Sequence, residues 1–523
     1  MNTAYQQFEQ DSPSFDRADE KFASLGRHLR SSDALGATHD TLETYVIEKT
    51  REIARDMMQG HLELRAAAER PVRVVGKDGV ARVEPRNSSR QLHLLVGDVT
   101  VRRLIYQASG VAGLCPQDGA LSLPKDSFSM GVRRRVAEEA SFGSFDHAVE
   151  RIKTTTGASI AKRQVEQLAQ ASSVDFEAFY TAQAVEPEGD EQFLVLTFDG
   201  AGIIMRTESL REDTRREAET SANKPKMWPA RLKAGEKSNH KRMAEVAAVY
   251  GIAAYVRTTE DVMGELSSIR LVRPEGQPVR PRPVNKRTWA SVEQDIGDVI
   301  EEGFLEALRR DPERRRRWVV LVDGQLQQLR AIQAAAALHG VEITLVCDFI
   351  HTMEYLWKAA YCFHKAGSNE ARQGVADHAR LLLDGSDPSQ VAAGMRRSAT
   401  LRKIEKRAAV DKCAGYIRKR RDYMRYGDAL AQGFPIASGI IEGACRHLVR
   451  DRLDCCGARW SVAGAEAVLK LRALQVSGDF DAYWRFHLDR EYERNHVSRY
   501  ADGLVPDPIP KPRLRLVKLG NSA

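Results

Sequence analysis

Three carboxylates occupy positions from which chemistry could be done. Asp199 ends the apolar run of "QFLVLTFDG", Asp323 ends that of "RWVVLVDG", and Glu442 opens the helical stretch in "FPIASGIIEGACRHLVRDRL". Both runs read as buried strands closing in Asp-Gly. Carboxylates at the ends of neighbouring strands of an α/β sheet converge on one edge, where ligands bind. Two aspartates and a glutamate gathered there repel one another unless cations sit among them. Mg²⁺ (or Mn²⁺) suits such a set, held by a few carboxylates with positions left for phosphate and water. Two such ions serve the attacking and leaving oxygens of an in-line phosphoryl displacement. Each Asp-Gly alone also reads as a tight turn after a strand. Glu442 alone also reads as an acid that complements the helix dipole and pairs with Arg446.

Around these acids stand further candidates. Asp348 and His351, in "LVCDFIH", offer a fourth acid near the metals, or an aspartate that orients a histidine by hydrogen bond; His351 also reads as a satisfied strand-end residue. Arg446 and Arg450 follow Glu442 by one and two helical turns and suit a phosphate backbone. In "GARWS", Arg459 and Trp460 suit a phosphate and a frayed base, and Trp460 reads equally as a core residue. Residues 401–425 carry ten Lys/Arg against three Asp/Glu, a net charge of +7, and within them Lys419, Arg420 and Arg421 suggest a DNA clamp. A second basic cluster, "RRDPERRRRW", runs from Arg309 to Trp318. Either cluster alone also fits a solvated helix face.

These side chains require an α/β frame. From residue 192 the patterning predicts strands at 192–200, in "GIIMR" and at 242–256, a helix over 288–310, a strand at 317–324, a helix, a strand at 341–351, and the helix "TMEYLWKAAYCFH". The order is β, β, β, α, β, α, β, α. Asp199 is expected to close the first strand and Asp323 the fourth. Residues 365–433 read as helical, and Ser438 as the N-cap of the Glu442 helix. Upstream, 41–70 reads as a long helix, and "QLHLLVGDVTVRRLIY" as a hairpin around Gly97-Asp98. Three short helices fill 130–172 with a break at Gly157. The third, starting at Ser159, opens with Lys162, Arg163 and Gln164, the layout of a helix-turn-helix with its recognition helix in front. Three such helices also make an ordinary bundle.

At 523 residues the chain has room for several domains. The expected divisions are a flexible 1–40, a DNA-binding region over 41–185, the first part of the core over 186–364, a basic helical insertion over 365–433, the Glu helix and GARWS segment over 434–475, and a C-terminal tail over 476–523. The seven cysteines contain no CxxC pair, which points to reduced thiols and a cytoplasmic setting. No run approaches the ~18 apolar residues of a membrane span.

The element order with Asp, Asp and a helical Glu resembles the ribonuclease-H-like core of DDE transposases. More closely, "FDGAG", "RWVVLVDG", "CDFIHTMEYLWKAA", "SFGSFDHAVERI" and, most specifically, "GFPIASGIIEGACRHLVRDRLDCCGARWSVAGAEAVLKLRAL" resemble the ISKra-type bacterial insertion-sequence transposases. The resemblance spans roughly residues 90–500. It implies an α/β ribonuclease-H-like catalytic core with a largely helical insertion, preceded by an α+β DNA-binding region. It further implies DNA cleavage and strand transfer by Asp199, Asp323 and Glu442, with two Mg²⁺ (or Mn²⁺) ions and no covalent protein–DNA intermediate. The expected partners are double-stranded DNA, as transposon terminal inverted repeats and as target, and further copies of the chain assembled on it. The setting implied is the bacterial cytosol, at the nucleoid. One departure concerns the N-terminal region, where such proteins can carry a cysteine-containing zinc-ribbon-like element. Cys115 stands alone there, so no zinc is expected. The competing expectations are a domesticated, non-catalytic DNA-binding regulator and a plain ribonuclease-H-like nuclease.

Overall fold

The computed structural model describes residues 15–509, apart from 185–188, 190–191, 223–239, 267–278, 406, 438 and 456. Most of "VEPEGDE" (185–191), whose acidic composition reads as a linker, nearly all of the polar, Lys/Arg-rich "NKPKMWPARLKAGEKSNHK" (223–241), which reads as a surface excursion, and the Ser438 cap lie outside the described residues. Residues Ala182–Asp479 form one compact unit; Met1–Thr181 and Phe480–Ala523 form the other.

The middle unit is built on five strands: β1 (Phe193–Ile204), β2 (Lys241–Ile252), β3 (Val284–Ser291), β4 (Trp318–Val322) and β5 (Ile343–Cys347). Their order across the sheet is β5-β4-β1-β2-β3. β1 pairs antiparallel with β2, and β2 with β3, whereas β4 and β5 join parallel on the other side. Helices make the parallel crossovers, α1 (Ile296–Arg310) before β4 and α2 (Leu326–His339) before β5. The continuous apolar runs of β1 and β4 are explained by burial on both faces, from Phe193 to Phe198 and from Trp318 to Val322.

The expected β, β, β, α, β, α, β, α order is interrupted: helices Glu212–Ala222 and Thr259–Leu266 stand between the first and second and between the second and third strands, and two of the strands change identity. "GIIMR" is no separate strand: β1 continues through Asp199 and Gly200 to Ile204, paired with β2 throughout. Asp199 therefore lies inside β1 rather than at its end. The third strand is instead "VNKRTWAS", part of which patterned as helix. Its Arg287 is buried and paired with Glu306 at 2.7 Å and Glu302 at 2.9 Å, both on α1. A buried arginine hides a strand from hydropathy, because its partners arrive only in three dimensions. Glu306 also takes Arg309 and Arg310, and Arg316 donates to the Gln192 and Phe193 carbonyls. Much of the second basic cluster is therefore structural.

After β5 come α3 (Phe349–Phe363) and the insertion helices α4 (Asn369–Leu383), α5 (Pro388–Leu401) and α6 (Ala408–Lys419). The chain then returns through α7 (Gly439–Ala444), which widens into a π-helical turn over Cys445–Arg450, and ends in α8 (Val462–Ser477). α8 secures β3 through Glu466, which accepts from the Val292 amide at 2.9 Å and the Ser291 hydroxyl at 3.1 Å.

In the other unit, helix His39–Ala68 packs on a hairpin of strands Glu84–Leu94 and Gly97–Ala108, whose turn is Leu95–Val96. Helices Met130–Phe142, Phe145–Thr156 and Lys162–Ala171 follow, with Gly157 in the left-handed region at φ +74° closing the second. Two expectations are corrected here. Residues 16–28 are an amphipathic helix rather than a flexible end, with Ala18 and Leu25 buried against Ile53. Nor are the described residues 476–509 a tail: helix Phe480–Asn495 buries Tyr483 and His487 in this unit. Tyr483 donates to the Ser172 carbonyl at 2.7 Å, and His487 Nδ1 lies 2.7 Å from Asp175.

Candidate active site

The sheet brings three aspartates to one level. β1 and β4 pair from Leu194–Trp318 to Thr197–Leu321, which stops two residues short of Asp199 and Asp323. β4 and β5 end their pairing at Val322–Cys347, one residue short of Asp323 and Asp348. The three acids therefore stand just past the last paired residues, on three neighbouring strands or the turns that leave them. The strand order makes this possible, since the two parallel strands lie beside the long strand that carries Asp199 in its interior.

Each acid is oriented locally. Asp199 Oδ1 accepts from the Gly200 amide at 2.7 Å, and Oδ2 lies 3.3 Å from the Cys445 thiol. That thiol contact brings the Glu442 helix to Asp199, with Glu442 just short of one full turn before Cys445. Asp323 Oδ1 accepts from the Gln325 amide at 2.8 Å. Asp348 is buried and caps α3, accepting from the amides of Ile350 at 2.7 Å and His351 at 3.1 Å. Glu442 has its pKa pushed up to about 7, first by desolvation, then by the negative charges of Asp348, Asp199 and Glu354. Asp348 thus acts on Glu442 more strongly than any other carboxylate.

Two expectations change as a result. Asp348 is a cap rather than a late strand residue, and the bond between it and His351 runs from the histidine's backbone amide. The His351 ring instead meets Tyr355 and Tyr416 edge-on, at 5.5 and 5.9 Å between centroids.

The basic candidates divide. Arg446, Arg450 and Arg459 are exposed beyond the Glu442 helix. Arg446 pairs with Asp451 at 3.7 Å rather than with Glu442, because the π-helical turn breaks the simple four-residue spacing. Trp460 is not available to a base. It is buried, donates from Nε1 to the Leu453 carbonyl at 3.0 Å, and lies under the Arg452 guanidinium. Lys419 and Arg421 are exposed, but Arg420 is committed to the backbone carbonyl of Gly324, beside Asp323. In the other unit the third helix starts at Lys162, not Ser159, so Lys162, Arg163 and Gln164 form its first turn. Gln164 accepts from the Ala161 amide at 3.0 Å and is a capping residue. Lys162 pairs with Asp146 at 2.6 Å on the surface, and Arg163 is exposed.

No protein-family model matches this chain, and no curated protein matches it.

Among the described residues, no three His, Cys, Asp or Glu side chains are arranged as they stand to hold one metal ion. The donor chemistry nevertheless fits Mg²⁺ or Mn²⁺. The groups are carboxylates, hard oxygen ligands, and the charges of Asp348, Asp199 and Glu354 add to desolvation in raising Glu442. Sequence reasoning missed Cys445 and the contact of Tyr416 with the Asp323 turn, and read Arg420 as part of a DNA clamp rather than as a backbone contact. Cys445 was within reach, since three residues along a helix from Glu442 put it on a neighbouring face. Tyr416 and Arg420 were not, since 93 and 96 residues separate them from Asp323 and Gly324. Among the described residues no helix is long and apolar enough to cross a membrane.

Proposed function

We propose that this chain is a DNA transposase of the DDE class, cleaving and joining DNA by phosphoryl transfer at Asp199, Asp323 and Glu442 on a ribonuclease-H-like core. The observation that carries this is the register of β1, β4 and β5, which ends at Thr197–Leu321 and Val322–Cys347, just short of Asp199, Asp323 and Asp348, with the Glu442 helix held to Asp199 through Cys445. The β5-β4-β1-β2-β3 strand order supports the same reading, as does the resemblance of "GFPIASGIIEGACRHLVRDRL" to ISKra-type transposases.

The division of labour follows from the local bonds. The Gly200 amide and the Cys445 thiol fix both oxygens of Asp199, and the Gln325 amide fixes one oxygen of Asp323, leaving the other to face a ligand. Glu442, with a pKa near 7, shares a proton with solvent at neutral pH until a positive charge arrives. Asp199, Asp323 and Glu442 would hold the divalent cations, with Asp348 beside them. Bound there, such ions supply charge neutralisation at the phosphate and activation of the attacking oxygen. The exposed Arg446, Arg450 and Arg459 bind the DNA backbone next to the acids, through contacts that position rather than specify. No serine or tyrosine nucleophile is required. Arg163 and Lys162 face DNA from the other unit.

Asp199→Asn, Asp323→Asn and Glu442→Gln should each abolish cleavage of the element's ends in Mg²⁺ while leaving end binding within about twofold, a surface-substitution-sized change. Cleavage by purified Glu442→Gln at the wild-type rate would remove Glu442 from the site. The substrate for this assay is the DNA flanking the gene, and finding terminal inverted repeats there would favour a transposase over a regulator or a plain nuclease. Cleavage without joining of those ends would reduce the proposal to a nuclease.

A further inference from the structure

The turn that carries Asp323 is gripped from outside the sheet. β4 stops at Val322, and the next two carbonyls, of Asp323 and Gly324, are taken by one insertion helix. Tyr416, on α6, donates its hydroxyl to the Asp323 carbonyl at 2.8 Å. Arg420, one turn later at the end of the same helix, donates Nε–H to the Gly324 carbonyl. Gly324 has φ +84°, the left-handed region, and a side chain built on it would overlap Arg420. Tyr416 is itself held on both sides of this contact. Its ring stacks on Tyr355 of α3 with centroids 4.1 Å apart and planes 10° from parallel. The Arg420 guanidinium lies 4.3 Å from the Tyr416 centroid, and Lys358 lies 5.4 Å from that of Tyr355. A cation, two rings and a second cation thus run from α3 to α6, with the Asp323–Gly324 turn bonded to its far end.

We propose that Tyr416 and Arg420 are positioning residues for Asp323, and that the basic insertion serves the site as a brace at these two positions rather than as a DNA clamp. The proposal rests on the reading of Asp323 as a cation-holding carboxylate. The direction of the Asp323 side chain is set by the backbone angles of a turn that has no strand partner beyond Val322. Two hydrogen bonds to successive carbonyls fix those angles, and the tyrosine that makes one of them is buried and stacked. Displacement of a reacting group by about 1 Å costs on the order of a hundredfold in rate. Arg420 acts through its planar fork, which both bonds the carbonyl and stacks on the ring; a lysine keeps the charge and loses that geometry.

The test uses the full-length protein, with Mn²⁺ binding followed without DNA by the electron paramagnetic resonance signal of free Mn²⁺. Tyr416→Phe removes one hydroxyl and keeps the ring stack, so its melting temperature should stay within a few degrees of wild type. Its Mn²⁺ affinity should fall about fivefold, the order expected for loss of one hydrogen bond. The Mg²⁺ needed for half-maximal cleavage should rise by the same factor, with DNA affinity and its salt dependence unchanged. Arg420→Lys should fail in cleavage as Arg420→Ala does. The double variant Lys419→Ala/Arg421→Ala should instead keep Mn²⁺ affinity and lower the slope of log DNA affinity against log salt by roughly 0.9 for each phosphate it no longer neutralises. The brace is overturned if Tyr416→Phe binds Mn²⁺ and cleaves as wild type. It is equally overturned if Arg420→Lys restores cleavage while Arg420→Ala lowers the salt slope, since charge alone would then be at work. Asp323→Asn run alongside separates the two levels. If it loses Mn²⁺ binding while Tyr416→Phe is silent, only the brace fails. If it binds Mn²⁺ normally, the assignment of Asp323 fails and takes the brace with it.

Discussion

Glu442 is a residue whose protonation depends on its neighbours. Desolvation and the charges of Asp348, Asp199 and Glu354 move its pKa from 4.5 to about 7. The sign of the consequence follows from proton counting. Between about 4.5 and 7 the native protein holds a proton on Glu442 that the unfolded chain has released, so stability falls as pH rises through that window and levels off above it. Glu442→Gln has no such proton. In EDTA, the melting temperature of Glu442→Gln should match wild type at pH 4.5, exceed it by a margin that grows up to about pH 7, and hold that margin to pH 8. Saturating Mg²⁺ at pH 8 should raise the wild type more than the variant. Parallel melting curves from pH 4.5 to 8 would mean that the acids do not crowd Glu442 and that no shared cation is needed to relieve them. The sequence singled out Asp199, Asp323 and Glu442, because Asp-Gly after an apolar run and Glu in the first turn of a helix are local signals, but not Glu354, whose charge acts on Glu442, nor Glu245, which feels that of Asp199. It did not show Asp348 as the strongest charge acting on Glu442. That depends on the β4–β5 register, which no local pattern carries.

At the scale of elements, legibility followed hydropathy. β4 and β5 stood where their apolar runs are, and α1, α3 and the insertion helices followed their periodicity. β3 was hidden by Arg287, and β1 was cut short because Asp199-Gly200 looks like a turn when its partner strand, β2, is not in view. The first helix of the other unit was missed because its apolar residues, such as Ala18 and Leu25, are few and widely spaced among charges. The helix starting at Lys162 was found but misread in detail, since Gln164 is occupied in capping the Ala161 amide. That occupation separates two substitutions within one helical turn. Gln164→Ala should lower the stability of its unit by about 1 kcal/mol, the usual net worth of such a hydrogen bond, and should weaken specific and random duplex binding alike, if at all. Arg163→Ala should leave the melting temperature unchanged. It should weaken binding to the element's ends more than to random duplex, as competition binding at matched salt would measure. Equal loss on both DNAs would make Arg163 a phosphate contact only.

The whole molecule is interleaved: one unit is a single continuous stretch, Ala182–Asp479, and the other is assembled from both of its flanks. The contacts that close the flanking unit are buried and specific. His487 is fully buried, with Nδ1 2.7 Å from Asp175, and Arg494 pairs with the same aspartate. Arg133 pairs with Glu491 at 3.4 Å, and Tyr500 joins the small core of Val74, Tyr106 and Leu114. Cutting the chain after residue 479 therefore removes His487 and Arg494 from Asp175 and Glu491 from Arg133, and it takes away the buried Phe480, Tyr483 and Trp484. Burying an apolar side chain of this size contributes about 1.5–3 kcal/mol, and a domain of this size is typically stable by only about 5–15 kcal/mol, so the three together are comparable with its whole stability. Residues 1–181 expressed alone should lack a cooperative thermal transition, and co-expression with 480–523 should restore one. Residues 182–479 expressed alone should unfold in a single transition, because every strand of their sheet and the α8–β3 contact lie inside that span. If DNA is read by the flanking unit and cut by the middle one, this fragment should also retain Mn²⁺ binding while losing preference for the element's ends. A cooperative transition in 1–181 alone would show that the C-terminal helix is an accessory to that unit rather than part of its core.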